Sequence, residues 1–273
     1  MPDTHSPAPL YDAHNHLQDP LLDAIRDDFL KSHGPPENGR MVVNGTCEAD
    51  WPYVRRIASV CPSIIPAFGL HPWMVDTLTE NWKSQLASQW DRGGVVGEIG
   101  LDRWKSETNF PIQKDVFLWQ WEESRRRRLP VTVHCLRAWG ALLEIIQSHP
   151  HPDGFLLHAY GGPVEMVDTW VSLGAYFSFS ASFLASDRAR KLAPFRVIPT
   201  DRLLVETDAP FMPPPPELLD TAPAFAGDGV QIHDPSSLAV AYEGLAKLRS
   251  MRINDLRAVL DQNFIRLFLH PAG

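Results

Sequence analysis

The sequence predicts an α/β chain folded as a (β/α)8 TIM barrel, and three observations carry that expectation. Eight short apolar or β-branched runs recur, most of them continuous rather than alternating, as strands buried on both faces of a parallel sheet require. The 198 residues from Tyr11 to Asp208 divide into seven intervals averaging about 28 residues, the length of one βα unit. Segments with helical spacing occupy several of those intervals, and two more follow the last run.

The strand candidates lie at 10–13, 41–43, 64–68, 95–97, 131–133, 155–157, 175–178 and 203–205. Residues 109–129 read as a helix, with Phe110, Phe117 and Trp121 on one side and a run of four arginines, Arg125 to Arg128, at its end. Residues 138–147 form a second candidate, and 163–173 a third, entered by Pro163, whose fixed φ suits a first helical turn. Residues 236–250 and 253–269 supply two amphipathic helices that would close the barrel. Pro210-Phe211-Met212 and the four prolines after it are too stiff for strand or helix interior, so 210–235 reads as a rim loop. Residues 1–9 read as a loose tail, and residues 1–273 together as a single barrel domain.

Composition narrows the function. With 44% apolar and 21% charged residues, 13 Phe and 9 Trp, the chain buries a core and is not a disordered linker. Its formal net charge of −8 excludes a protein that coats nucleic acid through its overall field, so contact with DNA needs a local patch. Three cysteines, Cys47, Cys61 and Cys135, lack C-x-x-C spacing and suggest neither a disulfide framework nor a zinc knuckle. Met1-Pro2-Asp3-Thr4 opens no targeting pattern, and no stretch reaches the roughly 20 apolar residues of a membrane span. A cytoplasmic protein with no membrane contact and no obligate protein partner is expected.

The chemistry gathers at the ends of the runs. Asp12-Ala13-His14-Asn15-His16 closes the first, where strand alternation turns His14 and His16 to one side. Gly97-Glu98-Ile99-Gly100 places a carboxylate among apolar neighbours, where it needs a cation. Val133-His134, Leu157-His158 and Glu206-Thr207-Asp208 end three more runs. Any one of these has a structural reading, such as a capping histidine or a turn aspartate. All of them fall at the end of a barrel where active sites are built, which favours a shared site. Four histidines with Glu98 and Asp208 suffice for two divalent ions, Glu98 bridging, and a pair of such ions performs hydrolysis.

Those motifs, with Gly69-Leu70-His71-Pro72 and Gly97 through Asp102, resemble the TatD family of metal-dependent deoxyribonucleases from Tyr11 to Pro210. The resemblance implies His14, His16, Glu98 and Asp208 around one ion, and Glu98, His134 and His158 around the second. It implies catalysis by Asp208 and Glu98, with Asp208 carrying the proton. The ions are expected among Zn²⁺, Mn²⁺ and Mg²⁺.

Candidate substrate contacts are His71, Arg103, Lys105, Arg137 and Tyr160, the last joining Trp73, Trp104 and Phe211 as rings on which a base could stack. Arg125 to Arg128 precede the fifth strand, at the barrel bottom, and read as a solvated face. Cys135, beside His134, should point into the barrel wall. Where the family pattern has His-Cys-Phe and Asn-Glu-Pro, this chain has His158-Ala159-Tyr160 and His233-Asp234-Pro235. The resemblance implies a DNA end cut by an exonuclease as the substrate, while these rim departures and the net charge of −8 weigh toward the alternative, a small amide, ester, lactone or phosphoester. A scaffold that keeps the barrel without turnover is the third reading.

Overall fold

The computed structural model describes residues 9–33, 36–104, 109–220, 224, 225, 229 and 231–269. The eight expected runs are the eight strands of one parallel sheet ordered as they occur in the chain: β1 Asp12–Asn15, β2 Met41–Asn44, β3 Ile64–Phe68, β4 Val95–Asp102, β5 Val131–Leu136, β6 Phe155–Leu157, β7 Ala175–Ser180 and β8 Leu203–Glu206. Two backbone hydrogen bonds tie the first strand's end to the last, from Asp208 N to His14 O (2.9 Å) and from His16 N to Ala209 O (2.7 Å). Helices α1 Asp23–His33, α2 Trp51–Val60, α3 Trp82–Asp91, α4 Phe110–Arg127, α5 Trp139–Ser148, α6 Val167–Ser172 and α7 Ala193–Val197 fill the intervals, and α8 Leu238–Arg249 and α9 Ile253–Phe264 follow. The barrel is the predicted fold. Among the described residues no helix is long and apolar enough to cross a membrane.

Some boundaries differ, each for a local reason. β4 and β5 run on past the apolar residues, because the ladder, interrupted between Val96 and Ile99 where Glu98 lies, resumes at Ile99↔Val133 and continues through Gly100↔His134 to Asp102↔Leu136. The helix expected at 163–173 divides into a 3-10 turn, Val164–Met166, and the short α6. The final helix stops at Phe264 and widens into one π turn, Ile265–Leu269. Pro20, Pro72 and Pro235 each open a 3-10 turn behind Asp19, His71 or Asp234, whose side chain accepts the exposed backbone N–H. Residues 1–8 of the expected tail, and 221–223, 226–228 and 230 of the rim loop, lie outside the described residues.

Two apolar layers hold the barrel. One lies between sheet and helices and is rich in large rings such as Trp121, Phe155 and Trp170. The other gathers Val42, Leu156, Tyr176 and Leu204 from early strand positions against Phe264 and Phe268, which seal the end where the strands begin. Polar ligand-forming residues are thereby left to the opposite end. Phe155 is fully buried, with Trp121 5.1 Å and Trp170 6.4 Å away between ring centroids. Phe155→Ala should cost about 3–5 kcal/mol of unfolding free energy in urea denaturation, through lost transfer energy and the cavity left behind.

Candidate metal centre

The site is assembled by the strand ends, and buried hydrogen bonds set its frame. Asp12, below the mouth, accepts from Thr207 N (3.1 Å), Thr207 Oγ1 (2.6 Å), His14 N (3.2 Å) and Asn15 Nδ2 (3.1 Å), locking β1 to the end of β8. Burial nonetheless pushes its pKa up to about 7, those bonds offsetting part of the rise. Asp208 then turns into the mouth from a left-handed backbone (φ 57°), uncommon for a residue with a side chain and typical of positions held by their surroundings for function. Glycine is required where β4 is crowded: a Cβ on Gly69 would lie 2.6 Å from the Glu98 carbonyl oxygen, and one on Gly100 would collide with the His134 carbonyl oxygen.

Glu98 stands at the centre with its two oxygens facing different partners. Oε2 lies 3.5 Å from His14 Nε2 and 3.3 Å from His16 Nε2, while Oε1 lies 2.9 Å from His158 Nε2 and 3.1 Å from His134 Nδ1. Asp208 Oδ1 joins the first group, 3.6 Å from His14 Nε2 and 3.5 Å from His16 Nε2. His14 and His16 bring their Nε2 atoms to 3.2 Å, and His134 Nδ1 and His158 Nε2 meet at the same distance. The rings of His14 and His158 stack with centroids 4.0 Å apart.

Hydrogen bonds at the far side of the rings indicate which nitrogen faces inward with a lone pair. His16 Nδ1 donates to the Asn44 carbonyl (2.8 Å), freeing Nε2 as a ligand. His134 is reversed: Nε2 donates to Asp102 Oδ2 (3.0 Å), so Nδ1 is the inward donor atom. His71 differs in kind. Its Nδ1 accepts the Trp73 N–H (3.1 Å), so the neutral ring carries its proton on Nε2, 3.6 Å from Glu98 Oε1. His71 therefore offers a hydrogen-bond donor to the site rather than a lone pair, although it also lies close enough to Glu98 and His134 to complete a third group of ligand-forming atoms.

The titration tendencies agree with a cation centre. Burial works against charge on His16, but hydrogen bonds and charge from Asp208 and Glu98 more than reverse it and hold its pKa well above the ordinary value. Burial is likewise overcome at His158 by the charges of Glu98 and Glu206. His14 and His71 go the other way, burial lowering both, His71 to about 3. Burial disfavours charge on Glu98 too, yet His71, His158 and His14 keep it ionised far below the usual range, and Asp208 stays ionised against burial through its bond to His16.

Does this donor set fit metal ions? Glu98 Oε1, His14 Nδ1 and His158 Nδ1 are buried with no donor or acceptor in hydrogen-bonding geometry, an expensive arrangement for a closed apolar mouth. Nitrogens on one ion at about 2.1 Å stand about 3.4 Å apart in tetrahedral geometry, close to the 3.2 Å approach of each imidazole pair. His14, His16 and Asp208 converge as one group, and His14, Glu98 and His158 as another. Four imidazoles and two carboxylates suit a divalent ion such as Zn²⁺ or Mn²⁺.

A second layer orients these donors, and the sequence motifs held it without revealing its role. Asp102 fixes His134 and is itself held by the Trp73 indole N–H (2.8 Å). Glu206 Oε1 lies 3.5 Å from His158 Nδ1, and its other oxygen accepts from the Ser178 hydroxyl. Asp102→Asn keeps the shape but removes the charge that orients His134. Metal affinity measured by chelator competition should fall about 10–100-fold; unchanged affinity would show that His134 needs no such partner.

Above the donors opens a cavity of about 760 Å³. His71, Trp73, Trp104 and Phe211 line it, Trp104 being 54% exposed. The other expected contacts fall elsewhere. Tyr160 is 0% exposed, its hydroxyl donating to the Pro163 carbonyl (2.8 Å) and its ring wedged between Trp139 and Phe177. It packs under the rim and has no free face for a base. Arg103 lays its guanidinium over Phe110 at 4.1 Å, and neither it nor Arg137 lines the cavity. Lys105 lies outside the described residues. Among the described residues, the lysine and arginine that line it are Arg188 and Lys191, in the 3-10 segment Ser186–Leu192 after β7. Their signal in sequence was the basic run Arg188-Ala189-Arg190-Lys191 just past a strand end. Cys135 is buried, and burial pushes its thiol pKa up, as an inert wall residue requires.

Three comparisons bear on this centre. The family model described as TatD related DNase matches residues 11–269. The uncharacterized metal-dependent hydrolase YabD of Bacillus subtilis is 26% identical, the match covering 95% of this chain and 98% of that one. Deoxyribonuclease TATDN3 of Homo sapiens is 23% identical, with 95% and 94% covered. The crystal structure of YjjV, a TatD homologue from Escherichia coli K12, superposes with a TM-score of 0.84 at 25% identity, covering 95% of this chain and 98% of that chain.

Proposed function

This chain belongs to the TatD-related DNase family, and from that premise we propose that it is a metal-dependent hydrolase that cuts phosphodiesters at DNA ends. His14, His16 and Asp208 would hold one divalent ion, His134 and His158 a second, and Glu98 would give one oxygen to each. When bound, such ions supply an activated water and neutralise charge that builds on the ester oxygens.

The chain's own residues do the rest. Asp208, kept ionised beside His16, takes the proton of the attacking water and returns it to the leaving oxygen. His71, neutral with its proton on Nε2, donates to a non-bridging oxygen of the substrate. Arg188 and Lys191 draw a neighbouring phosphate toward the mouth, and the exposed faces of Trp73, Trp104 and Phe211 take a base. A narrow barrel mouth admits a strand end more readily than a continuous duplex.

The observation that carries this reading is the division of Glu98, one oxygen toward His14 and His16, the other toward His134 and His158. The apolar walls contributed by Met74, Trp139, Phe183 and Met212 favour a second reading, hydrolysis of a small ester, amide, lactone or phosphoester. Incubation of 3′-labelled single-stranded DNA with Mg²⁺, Mn²⁺ or Zn²⁺, beside a panel of small substrates, separates the two. Metal-dependent release of nucleotides is expected. Turnover of the small substrates alone supports the second reading, and bound metal without turnover in either panel leaves a scaffold.

A further inference from the structure

At the opposite end of the barrel lies a second cavity, of about 580 Å³, within the range of small-molecule sites. Its walls come from the end where the strands begin: the end of α4 and the residues before β5, the 150–154 loop before β6, the start of β7, the turn before β8, and the final π turn that packs there. Four arginines line it, Arg125, Arg128, Arg202 and Arg266, with His151 and one acidic residue, Asp153.

Arg126 and Arg127, which lie between Arg125 and Arg128 in sequence, each pair with a carboxylate, whereas none of the four arginines of the cavity has one within 4.0 Å among the described residues. Arg202 rests over the Tyr176 ring at 5.1 Å, and Arg266 Nη1 is 3.5 Å from Asn263 Oδ1, a weak contact. The carbonyls closing α4 attract Arg125 and Arg128, which accounts for two cations at one helix end. They account for neither Arg202 nor Arg266, which reach the same cavity from separate segments. Arg125, Arg128 and Arg266 are exposed and Arg202 is half-buried, so in a chain of net charge −8 four like charges gathered around one concavity give it a local positive potential that favours an anion.

We propose that this cavity binds a phosphate ester of mononucleotide size. Guanidinium forks match phosphate oxygens in bidentate geometry. Leu129, Pro130, Pro150 and Leu267 give the apolar wall that an organic moiety beside the phosphate would cover, and which a bare inorganic anion would leave wet. The site is separate from the metal centre and stands whether or not DNA is the substrate there.

Calorimetric titration of the metal-loaded protein with dTMP tests it, alongside thymidine, inorganic phosphate and a ten-residue oligothymidine. The expected result is a dTMP binding event additional to any at the metal centre, weakened at least tenfold in both Arg202→Gln/Arg266→Gln and Arg125→Gln/Arg128→Gln, with turnover at the metal centre unchanged. Thermal melting shows that each variant is folded, and two independent pairs guard against loss of one of them. The proposal is overturned if both variants titrate as the wild type does, if thymidine binds as tightly as dTMP, or if the variants lose only oligothymidine binding, which would make the face a polynucleotide groove.

Discussion

Glu98→Gln should remove about one ion per chain and lower hydrolysis roughly 10³- to 10⁴-fold. The substitution keeps the volume and one acceptor oxygen, so packing in the mouth is little changed. What it removes is a charge that burial opposes and that His71, His158 and His14 hold in place. Neutral at position 98, the side chain can still lie 3.3 Å from His16 and 2.9 Å from His158, but its amide nitrogen cannot coordinate a cation, so one of the two groups loses its carboxylate ligand. Elemental analysis of protein purified without added metal, followed by activity after reconstitution, measures both effects. Wild-type stoichiometry in the variant would end the bridging role, and wild-type turnover would end the metal mechanism with it.

Asp208→Asn separates proton transfer from binding. An amide at this position can still face His14 and His16 through its oxygen, 3.6 and 3.5 Å away in the native carboxylate, but it cannot take a proton from water. A loss of about 10²- to 10⁴-fold in kcat is expected, with an equal loss in kcat/KM and little change in KM, the signature of an interaction made in the transition state. The native pKa is lowered, so the base form of Asp208 persists at neutral pH and is lost only as pH falls below the ordinary carboxylate range. A variant that raises KM alone would make Asp208 a substrate-positioning group rather than the proton carrier.

The barrel was legible in sequence because continuous apolar runs at regular intervals have few other ways to bury both faces. The candidate ligands were legible because each of His14, His16, Glu98, His134, His158 and Asp208 lies within three residues past the end of such a run, and a parallel barrel collects those ends at one face. Tyr160 was misplaced for an equally plain reason. It sits two residues past His158, where nothing local distinguishes a ring at the rim from one folded back against Trp139 and Phe177. Arg188 and Lys191 passed unnoticed because a basic run after a strand usually meets only solvent.

Residue order alone determined the fold class, the family and the set of donors at the strand ends, since all three depend on local pattern and chain direction. Tertiary structure decided which nitrogen of each imidazole turns inward, which oxygen of Glu98 serves which group, and where four arginines distant in sequence converge. Those choices rest on segments far apart in the chain, Asn44 bonded to His16, Asp102 bonded to His134, and Arg202 and Arg266 lining one cavity. Side-chain periodicity along a strand carries no information about the register or rotation of a strand beside it.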